Sequence, residues 1–130
     1  MIGFQEEYLR YRIEKSKEAL TDAVFLSENK SWNACINRLY YSCYYMVSAL
    51  CLKKEIPVQT HSGLKRQFGL SFVKTGIVTV ENGKLFSDLM DWRQKGDYGD
   101  MFDFDQETVE PLLNQVKGFI DSIEIIINEN

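Results

Sequence analysis

Proline is almost absent from this chain. Only Pro57 and Pro111 interrupt its 130 residues, which leaves long stretches of backbone free to run as helix. The apolar residues between the interruptions recur at threes and fours, the spacing of one helical face. A first helix is predicted over about residues 5–28, with Leu9, Ile13, Leu20 and Val24 inward. Ser31 is placed to cap a second helix, on which Trp32, Ile36, Leu39, Cys43, Met46 and Leu50 share a face. That helix runs to about residue 54 and ends before Pro57, whose ring drives Ile56 out of the α region. The short link at Asn29 and Lys30 folds the two into an antiparallel hairpin, the start of a bundle. Thr60 or Ser62 caps a short helix over about residues 63–73, and Gly76 breaks the chain again. A fourth helix is predicted over about residues 81–95, with Leu85, Leu89 and Trp92 on one face and Phe86 and Met90 beside it. Residues 96–100, Gly-Asp-Tyr-Gly-Asp, read as a loop. Val109, Leu113, Val116, Ile120, Ile123 and Ile127 mark the last helix. Asp105 as its cap sets Phe104 and Val109 in the positions of a hydrophobic staple, whereas Pro111 favours a start nearer Thr108. The expected fold is all-α, an up-and-down helical bundle of four long helices plus one short helix, in a single domain over residues 1–130.

At 130 residues the chain is long enough to bury roughly two-thirds of its unfolded surface without staples, and its 45% hydrophobic and 26% charged residues are ordinary for a globular protein. The longest aliphatic run, Ile123 to Ile127, contains Glu124, and nothing approaches the ~20 apolar residues of a membrane span. The opening residues, Met1 to Glu7, turn charged at once and carry no leader pattern. The expectation is a cytoplasmic protein with no membrane partner. Cys35, Cys43 and Cys51 agree with it: they lie eight residues apart on one predicted helix. Eight residues of helix rise about 12 Å, too far for a disulfide, so they read as buried, reduced thiols.

The net charge of −4 is unevenly spread. Residues 51–75 set Lys53, Lys54, Lys65, Arg66 and Lys74 against Glu55 alone, while residues 97–130 set nine acids against Lys117. An acidic protein repels polyphosphate at long range. The basic stretch therefore serves either a specific RNA or nucleotide, or acidic surface on a partner or a second copy.

Four groups of residues are candidates for chemistry. On the second helix Tyr40 and Tyr44, and Tyr41 and Tyr45, are i,i+4 neighbours, and Arg38, Tyr41, Ser42 and Tyr45 form one stripe. An aromatic stripe with an arginine stacks bases; it equally builds a core or a subunit interface. His61, the single histidine, stands in Thr60-His61-Ser62-Gly63. A base needs an orienting partner and a nucleophile or activated water, and the same residues serve as a helix cap. Asp97, Asp100, Asp103 and Asp105 alternate as in a calcium loop, but the glycine is misplaced at Gly99 and no glutamate closes the loop. No metal and no cofactor is implied. Arg93-Gln94-Lys95-Gly96-Asp97-Tyr98 is the most suggestive cluster: Arg93 can hold a phosphate with Asp97 orienting it, or be neutralised by Asp97 with Tyr98 packed down as a lid.

Asn37-Arg38-Leu39-Tyr40-Tyr41-Ser42-Cys43-Tyr44 resembles the Asn-Arg-x-Tyr-Tyr-Ala-x-Phe/Tyr pattern of HEPN-domain proteins (higher eukaryotes and prokaryotes nucleotide-binding). Thr60-His61-Ser62-Gly63-Leu64 with the following Phe68-Gly69 and Phe72 to Gly76 is similar to the family's next block, and Arg93 to Tyr98 to its third. The resemblance implies a helical bundle that forms a homodimer in the cytoplasm of bacteria or archaea, often beside a minimal nucleotidyltransferase. In such pairs the HEPN member is the helical substrate-binding or toxin subunit. Many members are metal-independent ribonucleases with an arginine, four to six residues, then a histidine at the dimer interface. Here Tyr98 stands where that histidine is expected, and no histidine follows. With a free pKa near 10, tyrosine is a poor base at neutral pH.

Three functions follow as expectations. The first is a module that binds RNA or a nucleotide, or docks a nucleotidyltransferase subunit, through Arg93, Asp97 and Tyr98 with Arg38 and His61. The second is a divergent metal-independent endoribonuclease toxin, which requires His61 within reach of Arg93. The third is a protein–protein adaptor, which requires Arg93 to be fully paired with acids.

Overall fold

The computed structural model describes residues 3–99 and 101–129. Five helices follow in order: α1 (Phe4–Glu28), α2 (Trp32–Lys53), α3 (His61–Phe68), α4 (Val80–Tyr98) and α5 (Gln106–Asn128). No strand occurs among the described residues. The all-α bundle of four long helices and one short one is the fold of this chain.

Helix α2 is the hub, packing against α1, α3, α4 and α5. It is apolar around most of its circumference, the pattern of a helix enclosed by others: Cys35, Ile36, Leu39, Tyr40, Cys43, Met46, Val47, Ala49 and Leu50 are all shut off from solvent. Ser16, Ala19 and Ala23 line the buried face of α1. These small side chains bring the backbones of α1 and α2 close, so that Ser16 Oγ donates to the Ser42 carbonyl at 2.7 Å and Cys35 Sγ to the Ala23 carbonyl at 3.3 Å. Val24, expected inward, is exposed, because Ala23 takes the α2-facing position. Ser42, expected on the polar stripe, is fully buried in the α1–α2 contact. One hydrophobic cluster draws residues from all five helices.

Helix ends account for the remaining differences from the sequence reading. Ser31 occupies the cap position of α2 but its side chain makes no capping bond. Thr60, not Ser62, caps α3, accepting from the Gly63 N–H at 2.9 Å, so that His61 opens the helix. Beyond Phe68 the chain widens into one π-helical turn, Gly69–Val73, in which the Lys74 N–H reaches the Gly69 carbonyl. Gly83 on α4 accommodates this turn: a Cβ there would lie 2.9 Å from Val73 Cγ2. Thr79 caps α4 through the Asn82 N–H. Asp105 caps α5 by accepting from the Thr108 N–H at 2.9 Å, and Thr108 hydrogen bonding holds its carboxyl below the usual carboxylate range. Pro111 is carried inside α5 rather than delaying its start.

The largest departure is at the end of α4, which runs through residues 96–98, expected as loop. Asn33 explains the extra turn. Its side-chain nitrogen donates to the carbonyls of Phe102 (2.8 Å) and Gly96 (3.4 Å), while its oxygen accepts from the Phe104 N–H (2.8 Å). Gly96 is pressed between Phe104 and Asn33, and a Cβ there would stand 3.3 Å from the Phe104 ring. Tertiary bonds thus hold a segment whose residues locally favour a turn.

Candidate functional site

Extending α4 by one turn changes what Arg93 meets. Asp97 now lies one turn along the same helix face, and its carboxylate is 3.8 Å from Arg93 Nη1. The same carboxylate oxygen accepts from Asn37 Nδ2 at 2.9 Å, and Asn37 Oδ1 accepts from Arg38 Nε and Nη2 at 3.0 and 2.8 Å. An unbroken polar chain therefore joins Arg38 and Asn37 on α2 to Asp97 and Arg93 on α4.

Both arginines lie on tyrosine rings of α2. Arg38 Cζ is 5.1 Å from the Tyr41 centroid; Arg93 Cζ is 5.0 Å from Tyr40 and 5.8 Å from Tyr41. Cation–ring attraction at these distances holds a guanidinium without neutralising it. The Arg93 side chain is only 13% exposed, its one acidic contact is the long one to Asp97, and its Nε is buried with no hydrogen-bond partner among the described residues. A buried, unpaired donor on a cation costs energy.

His61 reaches the same cluster from α3. Its Nδ1 is 2.6 Å from Tyr40 Oη, and its ring stacks on Tyr44 at 4.5 Å and meets Tyr41 edge-on at 5.9 Å. Burial lowers the His61 pKa and the nearby Arg93 charge lowers it further; burial pushes the Tyr40 phenol far up, against the opposing pull of Arg93. Both groups are therefore neutral at pH 7. Tyr40 is fully buried and His61 Nδ1 is its only hydroxyl partner among the described residues. A buried O–H needs an acceptor, so it donates to an unprotonated Nδ1. The histidine proton then sits on Nε2, which makes no hydrogen bond to any described residue. In this tautomer Nε2 is a donor, and the one nitrogen able to take a proton is already occupied by Tyr40.

The structure thus brings together four of the five residues singled out from the sequence, Arg93, Asp97, Arg38 and His61. It leaves the fifth apart. Tyr98 is 74% exposed at the end of α4 and stacks on no ring among the described residues, so it is not a lid over Arg93. The residues that sequence reasoning left out of the site are Asn37, which links the arginines through Asp97, and Tyr40, which joins Arg93 to His61. Asn37 could have been found from its place beside Arg38 in the second-helix motif; Tyr40 could not be told from its neighbouring tyrosines. The alternating acids do not converge on one point: Asp97 belongs to the arginine cluster, Asp105 caps α5, Asp103 faces Asn33, and Asp100 lies outside the described residues. No helix of the described residues is long and apolar enough to cross a membrane.

Residues of α2, α3 and α4 thus meet around Tyr40, among them a neutral imidazole and a partly paired guanidinium. The HEPN domain family pattern matches residues 9–126, and this chain belongs to that family. It is 37% identical over 125 residues to a UPF0332 protein of Thermotoga maritima, covering 96% of this chain and 95% of that one. It is also similar to two Methanocaldococcus jannaschii proteins whose names mark them as candidate toxins. One is 32% identical over 135 residues, covering 94% of this chain and 92% of its own length. The other is 29% identical over 123 residues, covering 95% and 91%.

Proposed function

We propose that this chain is a toxin-type HEPN module that binds RNA or a nucleotide, with Arg93 and His61 donating to one phosphate group. The observation that carries this reading is the meeting of Arg93 and His61 around Tyr40: the Arg93 guanidinium has a single, long acidic contact among the described residues, and Tyr40 occupies His61 Nδ1, leaving the imidazole proton on Nε2. Asp97 and Asn37 orient the Arg93 side chain, and Arg38 adds positive charge along the same face. The module acts in the cytoplasm, where its three buried thiols stay reduced, as a homodimer and as the partner of a nucleotidyltransferase subunit. The exposed side chains of Tyr98 at the end of α4 and of Met101 and Phe102 in the connection to α5 support a second copy docking there.

The test is retention and integrity of a mixed-sequence RNA pool, in EDTA, with wild type, Arg93→Ala and His61→Ala. Wild type should retain the RNA uncut. Hydrogen bonds to charged groups are worth about 1.5–3 kcal/mol, so Arg93→Ala should weaken retention at least about tenfold, and His61→Ala less. Cleavage by wild type that disappears in His61→Ala would convert the reading to a metal-independent ribonuclease. RNA neither held nor cut, with free nucleotides also unbound, would leave the adaptor role.

A further inference from the structure

A cavity of about 300 Å³ opens beneath the loop between α2 and α3, with Tyr44 in its lining. We propose that this cavity is a second nucleotide subsite, so that it and the Arg93–His61 cluster together take two consecutive units of one RNA strand instead of a mononucleotide. The inference rests on the phosphate-binding reading of the Arg93 cluster.

Tyr44 is the shared wall. Its ring stacks on His61 at 4.5 Å, and the same side chain lines the cavity. A strand leaving the Arg93 phosphate past His61 therefore meets an aromatic surface and then a concavity. Arg12, reaching across from α1, is the one charged residue among the lining. Its Nη1 donates to the Ser48 carbonyl at 3.2 Å, and no carboxylate lies within ion-pair distance of it among the described residues. Its field reaches Tyr44, where it opposes the upward push of burial on the phenol. The rest of the lining offers Ser48, Gln59 and Thr60 as neutral polar groups and Leu64 and Val58 as apolar ones. That is the composition of a ligand site: mostly uncharged walls and one fixed cation. Proteins that hold single strands repeat this unit, a cation for each phosphate and an aromatic face for each base. Here the series runs Arg93, His61, Tyr44, Arg12, crossing from α4 over α3 and α2 to α1, with the buried Tyr40 beneath it joining Arg93 to His61. A free nucleotide would fill one unit and leave the other empty.

The experiment compares binding of uridine monophosphate and of the trinucleotide UpUpU, in EDTA, to wild type and three variants. Wild type should bind UpUpU at least tenfold more tightly than the monophosphate. Arg12→Ala should remove most of that advantage and leave the monophosphate unchanged. Gln59→Glu, which places a negative charge at the cavity rim on an exposed side chain, should do the same without disturbing a buried contact, and thermal unfolding checks that Arg12→Ala remains folded. Arg93→Ala should weaken both probes. UpUpU binding that Arg93→Ala weakens but both Arg12→Ala and Gln59→Glu leave intact would overturn the second subsite while the Arg93 reading stands. Equal weakening of both probes by the cavity variants would also overturn it, since the cavity would then be part of one mononucleotide site. Binding of either probe that Arg93→Ala does not touch would overturn the reading on which the proposal rests.

Discussion

At the scale of single residues, the site depends on where one proton sits. His61 is held neutral by burial and by Arg93, and the buried Tyr40 hydroxyl places its proton on Nε2. As the only histidine, it gives an isolated imidazole signal in a proton NMR titration. Its midpoint should fall below the unperturbed 6.5 and rise when Arg93 is replaced by alanine; a midpoint at or above 6.5 in wild type would remove the neutral donor. The same depression fixes the sign of a pH effect on stability. Below pH 6.5 the unfolded chain takes up a proton at this position before the folded chain does, so stability falls on acidification from 6.5 down to the folded pKa and changes no further below it. The motif blocks that carry Arg38, His61 and Arg93 were legible in the sequence. Their meeting was not: His61 and Arg93 are far apart in the chain, and what joins them is a third residue, Tyr40, whose neighbours Tyr41, Tyr44 and Tyr45 look the same in one dimension.

At the scale of elements, the long helices were legible because threes-and-fours spacing of apolar residues is a direct image of burial. Ends were harder, since Thr60, Thr79 and Asp105 cap through side chains while Ser31, of an equally suitable type, does not. The last turn of α4 shows why. Gly96-Asp97-Tyr98-Gly99 carries turn chemistry, and Asn33 and Asn37, on another helix, help to hold it helical. Asn33→Ala deletes four hydrogen bonds and strips the Phe104 N–H of its acceptor. It should cost about 2 kcal/mol, read as a fall in Tm of roughly 5–10 °C. A Tm within a degree of wild type would mean that the turn is held by other contacts.

At the scale of the whole molecule, the proposed site forms where α2, α3 and α4 meet, and the proposed second copy docks beside it. Sedimentation at micromolar concentration should give about twice the 15.2 kDa chain mass, and charged substitutions at Tyr98 and Phe102 should return it to one chain. A single-chain mass for wild type would place the whole binding site within one protomer. The bundle itself follows from its low proline content and its all-round apolar second helix, both visible in the sequence. The surface proposed for a second copy is not visible there, because an exposed aromatic side chain at the end of a helix carries no periodic signal.

The enclosure of α2 has a consequence for how the molecule can be watched. Cys35, Cys43 and Cys51 stand at successive levels of that helix, all buried and unpaired. Burial pushes the thiols of Cys35 and Cys51 up to about 11 and that of Cys43 well above 9.0. An alkylating reagent attacks the thiolate, so in the closed bundle each sulfur is silent twice over, by access and by charge. Each becomes reactive only when its own stretch of α2 is laid bare. The three sulfurs form a built-in depth gauge, and the order in which they are modified reads out which end of the bundle breathes first.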